Sequence, residues 1–207
     1  MSKKASILIP VYNEEDSIIK TLKNLNFAWI EEIIIVNDAS TDNTEDIIKK
    51  YTKINKSIKL YNFNKNRGKG QAIEYAFKKS IGEIIITVDG DLKESVIEIE
   101  KMYNYLVINN KEMVIAIIEI KGGGFGLLQK ITDYLLYLLT KKSMKAPLSG
   151  QRIFTRELAY KILPFSEGFG LELGMDIYLL RNNINFSEIK CNFHHKVTKR
   201  DLKGFLH

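Results

Sequence analysis

The 207-residue chain is predicted to fold as an α/β protein built on an open, mostly parallel sheet with helices on both faces, Rossmann-like in its first half. Three observations carry that expectation. Short β-branched runs alternate with helical patterns, the signature of βαβ units. The runs are continuously apolar, as strands covered on both faces must be. Polar or acidic residues follow most of them, and ligands of open parallel sheets bind beyond the carboxyl ends of the strands.

In chain order, strands are expected at Ser6–Val11, Glu32–Val36, Ile58–Asn62 and Ile84–Val88, with helices near Glu14–Asn26, Thr41–Ile54 and Gly70–Ile81. The second of these helices opens at Asp38-Ala-Ser-Thr-Asp-Asn, a turn-and-cap cluster. Further on come a helix near Ser95–Asn109, a strand near Met113–Ile118, the glycine run Gly122–Gly126 and another helix. The Pro147–Arg152 loop then leads to a short strand, helices near Arg156–Ile162 and Leu171–Arg181, a strand near Phe186–His194 and a basic tail.

Three prolines and no Ser/Gly linker leave no internal boundary, so one domain is expected over residues 1–207. Its first part, about 1–92, holds the regular strand–helix alternation, and about 93–207 the less regular elements and the basic tail. The charge of +6 and the pI near 9.1 favour anionic partners such as nucleotides, phosphates or an anionic membrane surface. Basic residues are not interleaved with stacking aromatics, so no nucleic-acid partner is expected. The single Cys191 rules out an intrachain disulfide and suits a reducing, cytoplasmic compartment. Met1-Ser-Lys-Lys runs straight into a strand, so no leader is expected. Phe125–Thr140 is too short to span a bilayer and carries Gln129, Lys130 and Asp133; it suits a core helix or one lying on a membrane face.

The candidate chemistry sits after the strands. Pro10-Val-Tyr-Asn-Glu-Glu follows the first, Asn37-Asp-Ala-Ser-Thr-Asp the second and Asp89-Gly-Asp91 the fourth. After the third comes Asn64-Lys-Asn-Arg-Gly-Lys-Gly, a cationic loop entering a helix N-terminus, which offers a phosphate both charge and backbone N–H groups. Asp89 and Asp91 are suited to share a hard cation, Mg²⁺ or Mn²⁺, although Asp-Gly-Asp is also good turn chemistry. Glu172 and Asp176 share a helix face at i, i+4, so either is a candidate general base for an acceptor or a holder of sugar hydroxyls. A solvated acidic face is the plain alternative for Asp176. Arg152 would clamp a diphosphate or acceptor anion, or form a surface salt bridge.

As an ordered set, Ile7-Leu-Ile-Pro-Val-Tyr-Asn-Glu-Glu, Ile35-Val-Asn-Asp-Ala-Ser-Thr-Asp, Asn66-Arg-Gly-Lys-Gly and Val88-Asp-Gly-Asp resemble the family 2 glycosyltransferases of GT-A fold. The resemblance implies a sugar transferase acting on a nucleoside-diphosphate sugar, with UDP as the nucleotide, about 1–92 forming the nucleotide-sugar-binding half and about 93–207 the acceptor-binding half. It implies that Pro10, Tyr12, Glu14 and Asp38 surround base and ribose and that Lys69, with Arg67 beside it, approaches the base or diphosphate. Asp89 and Asp91 would hold ribose and metal. Family members often carry Asp-Asp-Gly-Ser where this chain has Asn37-Asp-Ala-Ser.

The second half resembles enzymes of the glucosyl-3-phosphoglycerate synthase type through Ala146-Pro-Leu-Ser-Gly-Gln-Arg, Leu163-Pro-Phe-Ser-Glu-Gly-Phe-Gly-Leu-Glu-Leu-Gly and Phe193-His-His. By that resemblance His195 completes the metal site and Glu172 faces sugar or acceptor. On residues alone, a single histidine such as His195 near a strand end is more often structural, and period two would turn His194 to the opposite side of its strand. Phe193 replaces an arginine of the synthases, and Gly122–Gly126 lacks their basic residue for the acceptor phosphate. Polyprenyl-phosphate sugar synthases are a looser resemblance, with a Ser/Thr-Gly loop in the place of Ser149-Gly150.

Sugar transfer to a small phosphorylated, hydroxyl-bearing or lipid-phosphate acceptor is therefore the leading expectation, in a cytoplasmic protein for which peripheral contact with the inner membrane face and a homodimer are both open. A nucleotidylyltransferase lacks its glycine-rich arginine signature here; a non-catalytic nucleotide-sugar binder is the other alternative. Residues 196–207 suit a lid over the pyrophosphate or a basic amphipathic foot.

Overall fold

The computed structural model describes residues 3–118, 125–164 and 170–194. Seven strands form one sheet: β1 (Ala5–Val11), β2 (Ile30–Asn37), β3 (Ile58–Asn62), β4 (Ile84–Thr87), β5 (Met113–Ile117), β6 (Arg152–Thr155) and β7 (Phe186–Lys190). Their order is β3-β2-β1-β4-β6-β5-β7, parallel except for β6, which runs antiparallel to β4 and β5. The fold class expected from the sequence is the one observed.

Alternation along the strands assigns the two faces. Ile7, Ile9, Ile33, Ile35, Ile84 and Ile86 point to one core, closed by α1 (Ile18–Lys23), α2 (Thr44–Ile54) and α4 (Ile99–Ile108). Leu8, Ile34, Val36 and Ile85 point to the other, closed by α3 (Lys69–Lys79), α5 (Phe125–Thr140), α6 (Arg156–Ile162) and α7 (Gly170–Arg181). Each of these isoleucines is fully buried, a contribution of roughly 1.5–3 kcal/mol per side chain. A period-two pattern of this kind tolerates no slip of register, because one residue would exchange the two cores.

The chain winds outward from β1 to β3 and then returns to place β4 on the other side of β1. That reversal opens a crevice between the carboxyl ends of β1 and β4, where open α/β sheets bind ligands. Because β6 is antiparallel, Arg152 at its start pairs with Thr87 at the end of β4, which brings the Pro147–Gln151 loop to the same edge.

Two boundaries differ from expectation. Only Ile18–Lys23 of the stretch near Glu14–Asn26 is α-helix, since Glu14 to Ser17 form a turn whose carbonyls and side chains are tied to each other. The last strand ends at Lys190, so His194 lies beyond it and the period-two reading of the two histidines does not apply. The exposed His194 instead donates its backbone N–H to Ser95 Oγ at 3.0 Å. His195, residues 196–207 and Gly122 to Gly124 of the glycine run lie outside the described residues.

Candidate active site

The Lys69 ammonium is the point where the two halves of the chain meet. It lies 2.9 Å from Asp89 Oδ1, after β4, and 3.0 Å from Glu172 Oε1, in the first turn of α7. Both helices direct their N-termini here: Lys69 is the first residue of α3, entered through Gly68 at φ +84°. Withdrawal from water would push the Lys69 pKa down, but the two carboxylates outweigh it and hold the amine above the ordinary lysine range. Glu172 is buried and Asp89 half-buried, so the three charges face one another across a partly dry crevice.

The neighbouring loop fits closely around this group. Gln151 donates from Nε2 to Asp89 Oδ2 at 2.7 Å, and Thr87 donates from Oγ1 to the Gly150 carbonyl at 2.9 Å. A Cβ on Gly150 would stand 2.4 Å from Lys69 Nζ and 3.2 Å from Asp89 Oδ2, so only glycine admits the approach. Gly90 is constrained in the same way from behind, where a Cβ would meet Val11 Cγ1 at 3.0 Å. Its carbonyl accepts from Thr21 Oγ1 at 2.8 Å, which anchors the Asp89–Asp91 turn to α1. Gln151 was not anticipated as a site residue; its place directly after Ser149-Gly150 was the available signal.

The first and second strand ends are stitched together. Asn13, at φ +56°, accepts from the Thr41 N–H at 2.8 Å, and its own N–H donates to Ser40 Oγ at 3.0 Å. The Glu14 N–H donates to Thr44 Oγ1 at 2.8 Å, while the Glu14 carboxylate receives the Ser17 hydroxyl. Tyr12 is left exposed beside Pro10. Asp38, expected at base and ribose, accepts the N–H groups of Arg67 at 2.7 Å and Gly68 at 2.8 Å with its two oxygens. It shapes the cationic loop, whose Arg67 guanidinium rests on the Phe63 ring at 4.5 Å. Ala39 occupies the family's glycine position at φ +60°, a left-handed conformation that an L side chain adopts at a cost of about 1–2 kcal/mol.

Two expectations are corrected. Arg152 is neither a diphosphate clamp nor a surface pair: it is buried, with Nη1 donating to Asp176 Oδ1 at 2.7 Å and Nε to the Ser149 carbonyl at 2.7 Å. Asp176, at 0% exposure, cannot meet an acceptor as a base, nor is it part of a solvated face. The shared helix face was read correctly, but α7 turns it inward, so Glu172 reaches the crevice and Asp176 stops one turn deeper. Ser149 Oγ is likewise buried and has no hydrogen-bond partner among the described residues.

A hard divalent cation would find oxygen donors in Asp89 and Asp91, and the chemistry of that donor set fits Mg²⁺ or Mn²⁺. Among the described residues no third His, Cys, Asp or Glu joins them in a metal-type cluster.

Residues 6–167 match the model of glycosyl transferase family 2. The chain belongs to that family. It is 30% identical over 190 residues to a dolichyl-phosphate β-glucosyltransferase of Trichomonas vaginalis, covering 77% of this chain and 54% of the relative. It thus spans about half the length of that protein. An undecaprenyl-phosphate 4-deoxy-4-formamido-L-arabinose transferase of Pectobacterium carotovorum is 32% identical over 111 residues, 50% of this chain and 33% of the relative. In fold it is similar to glucosyl-3-phosphoglycerate synthase of Mycobacterium tuberculosis, solved with Mn²⁺, UDP and glucosyl-3-phosphoglycerate. That match has a TM-score of 0.78 at 23% identity, over 98% of this chain and 74% of the other. The GT-A architecture expected from the motifs is the observed one.

Proposed function

We propose that this glycosyltransferase takes its sugar from a nucleoside-diphosphate sugar, UDP being the nucleotide, and delivers it to a phosphate- or hydroxyl-bearing acceptor. The carrying observation is that one ammonium, Lys69, joins a carboxylate of the nucleotide half to a carboxylate of the acceptor half. Donor and acceptor groups therefore converge on one point of the crevice.

In this reading Pro10 and Tyr12 flank the nucleobase, Glu14 stands near the ribose, and the Arg67–Lys69 loop approaches the diphosphate. Asp38 keeps that loop in shape, and Gln151 and Gly150 hold Asp89 in place. Asp89 and Asp91, with His195 as a third ligand, would hold Mg²⁺ or Mn²⁺, which when bound supplies charge compensation for the departing diphosphate. Glu172 orients the acceptor, and takes its proton where the nucleophile is a hydroxyl. A phosphate acceptor arrives already ionised and needs no such base. The dolichyl- and undecaprenyl-phosphate names of the relatives favour this second class of acceptor. Cys191, the one cysteine of the sequence, is buried, and a chain that uses no disulfide is in keeping with a reducing, cytoplasmic setting.

The test is a thermal-shift panel of UDP- and GDP-sugars with and without Mn²⁺, followed by transfer assays on a polyprenyl phosphate and on phosphoglyceric acid. Asp91→Ala should abolish the metal-dependent shift and the transfer. Full turnover of that variant, or of the wild type under stringent chelation, would overturn the metal assignment. Donor binding without transfer to either acceptor class would leave a nucleotide-sugar binder instead.

A further inference from the structure

α5 is apolar where it should be polar. Its inward side, Thr132 and Leu136, packs toward α7, one helical turn apart. On an amphipathic helix the opposite side is charged or polar. Here the opposite side carries Ile131, Tyr134, Leu135, Tyr137 and Leu138, with Tyr134 63% and Ile131 50% exposed. At 100° per residue these five cover the outer arc without a break except at Lys130. Such a patch marks an interaction surface.

The charges around it are of one sign. Lys130 stands on the outer arc toward the N-terminal end, and Lys141 follows the C-terminal end with its ammonium 5.6 Å from the Tyr137 ring. Arg181, at the end of α7, reaches the Leu139 carbonyl at 3.4 Å. The helix's one acid within the described side chains, Asp133, is half-buried, and burial raises its pKa. A second copy of the chain fits this face poorly. Two-fold pairing of α5 with itself sets lysine against lysine or arginine in either direction. A helix of 16 residues offers a strip only about 24 Å by 10 Å, far below the ~800 Å² per partner of a stable dimer. An anionic lipid surface satisfies both features: acyl chains receive the leucines, tyrosines sit at headgroup depth, and phosphates meet the flanking cations. No helix among the described residues is long and apolar enough to cross a membrane, so the contact is one of lying on the surface.

We propose that the outward face of α5 docks the enzyme on an anionic membrane, lying in the plane of the headgroups. The proposal goes beyond the sugar-transfer reading and stands without it. It is tested by flotation of the full chain with phosphatidylcholine vesicles, alone or mixed with phosphatidylglycerol. The protein should float with the anionic vesicles at least about tenfold better, since each apposed cation is worth roughly fivefold in partitioning, and high salt should erode that preference. Leu135→Ser/Leu138→Ser should abolish flotation on both compositions while the nucleotide-sugar thermal shift is kept. Lys130→Glu/Lys141→Glu should remove only the anionic preference, and carries the test if the serine pair fails to fold. Wild-type protein that floats with neither vesicle, or variants that float unchanged, would overturn the proposal. So would a solution dimer that the serine pair splits with no vesicle binding, which would assign the face to a second copy.

Discussion

Arg152 and Asp176 form an ion pair of 2.7 Å in a region with almost no access to water, one on the first residue of β6 and the other on α7. The same guanidinium holds the Ser149 carbonyl, so the pair links α7 to the loop that carries Gly150 and Gln151. Arg152 Nη2 and Asp176 Oδ2 have no further hydrogen-bond partner among the described residues, which leaves the pair expensive to keep and more expensive to break.

Removing one partner strands a buried charge. Asp176→Ala should lower the unfolding free energy by about 3–5 kcal/mol, read from urea denaturation. Arg152→Met combined with Asp176→Leu should recover most of that loss, because no charge is then left in the interior. The double variant should still transfer sugar poorly, since nothing tethers the Ser149 carbonyl. Stability and activity that recover together would assign the pair to folding alone.

Gly150→Ala should separate geometry from stability at the crevice. The added methyl displaces Lys69 or Asp89, the nearest atoms at 2.4 and 3.2 Å, and Lys69 Nζ is the far end of a flexible side chain that can swing aside. The melting temperature should change little, while metal-dependent nucleotide-sugar binding, followed by calorimetry, should weaken by tenfold or more, about 1.4 kcal/mol. Unchanged binding would mean that the Lys69–Asp89 contact is dispensable.

The amino-terminal end of the parallel strands, opposite the crevice, carries an acid-sensitive element. Glu32, 2% exposed, accepts from Ser6 Oγ at 2.7 Å, the Ile81 N–H at 2.7 Å and Lys59 Nζ at 2.6 Å. Burial alone would raise its pKa, but these donors together hold the carboxyl below the ordinary glutamate range. A depressed folded pKa stabilises the protein above the unfolded value and loses that stabilisation as pH falls through the folded one. Stability curves should therefore bend downward below about pH 4.5. Glu32→Gln should flatten that bend and cost about 1–3 kcal/mol at neutral pH, most of it from the buried hydroxyl and amide, because Lys59 is exposed and screened.

Much of this molecule was legible in its residues. The first four strands announced themselves as apolar runs because strands buried on both faces have no other composition available. Asp89, Asp91, Lys69 and Asp38 could be singled out because a parallel sheet delivers the residues after its strands to one edge. The i, i+4 spacing also placed Glu172 and Asp176 on a common face, since helical geometry is local.

What that face looks at is not a local property. α7 is apolar on both sides of its acidic stripe, so only packing against α3 and β6 decided that Glu172 would meet Lys69 and that Asp176 would vanish against Arg152. Asp38 likewise stands after a strand as expected, yet the donors it serves belong to the loop that follows β3, 29 and 30 residues further along the chain. Spacing along the chain determines which side chains share an edge or a face; the direction each one takes depends on partners distant in sequence, and only the tertiary structure brings those partners within reach.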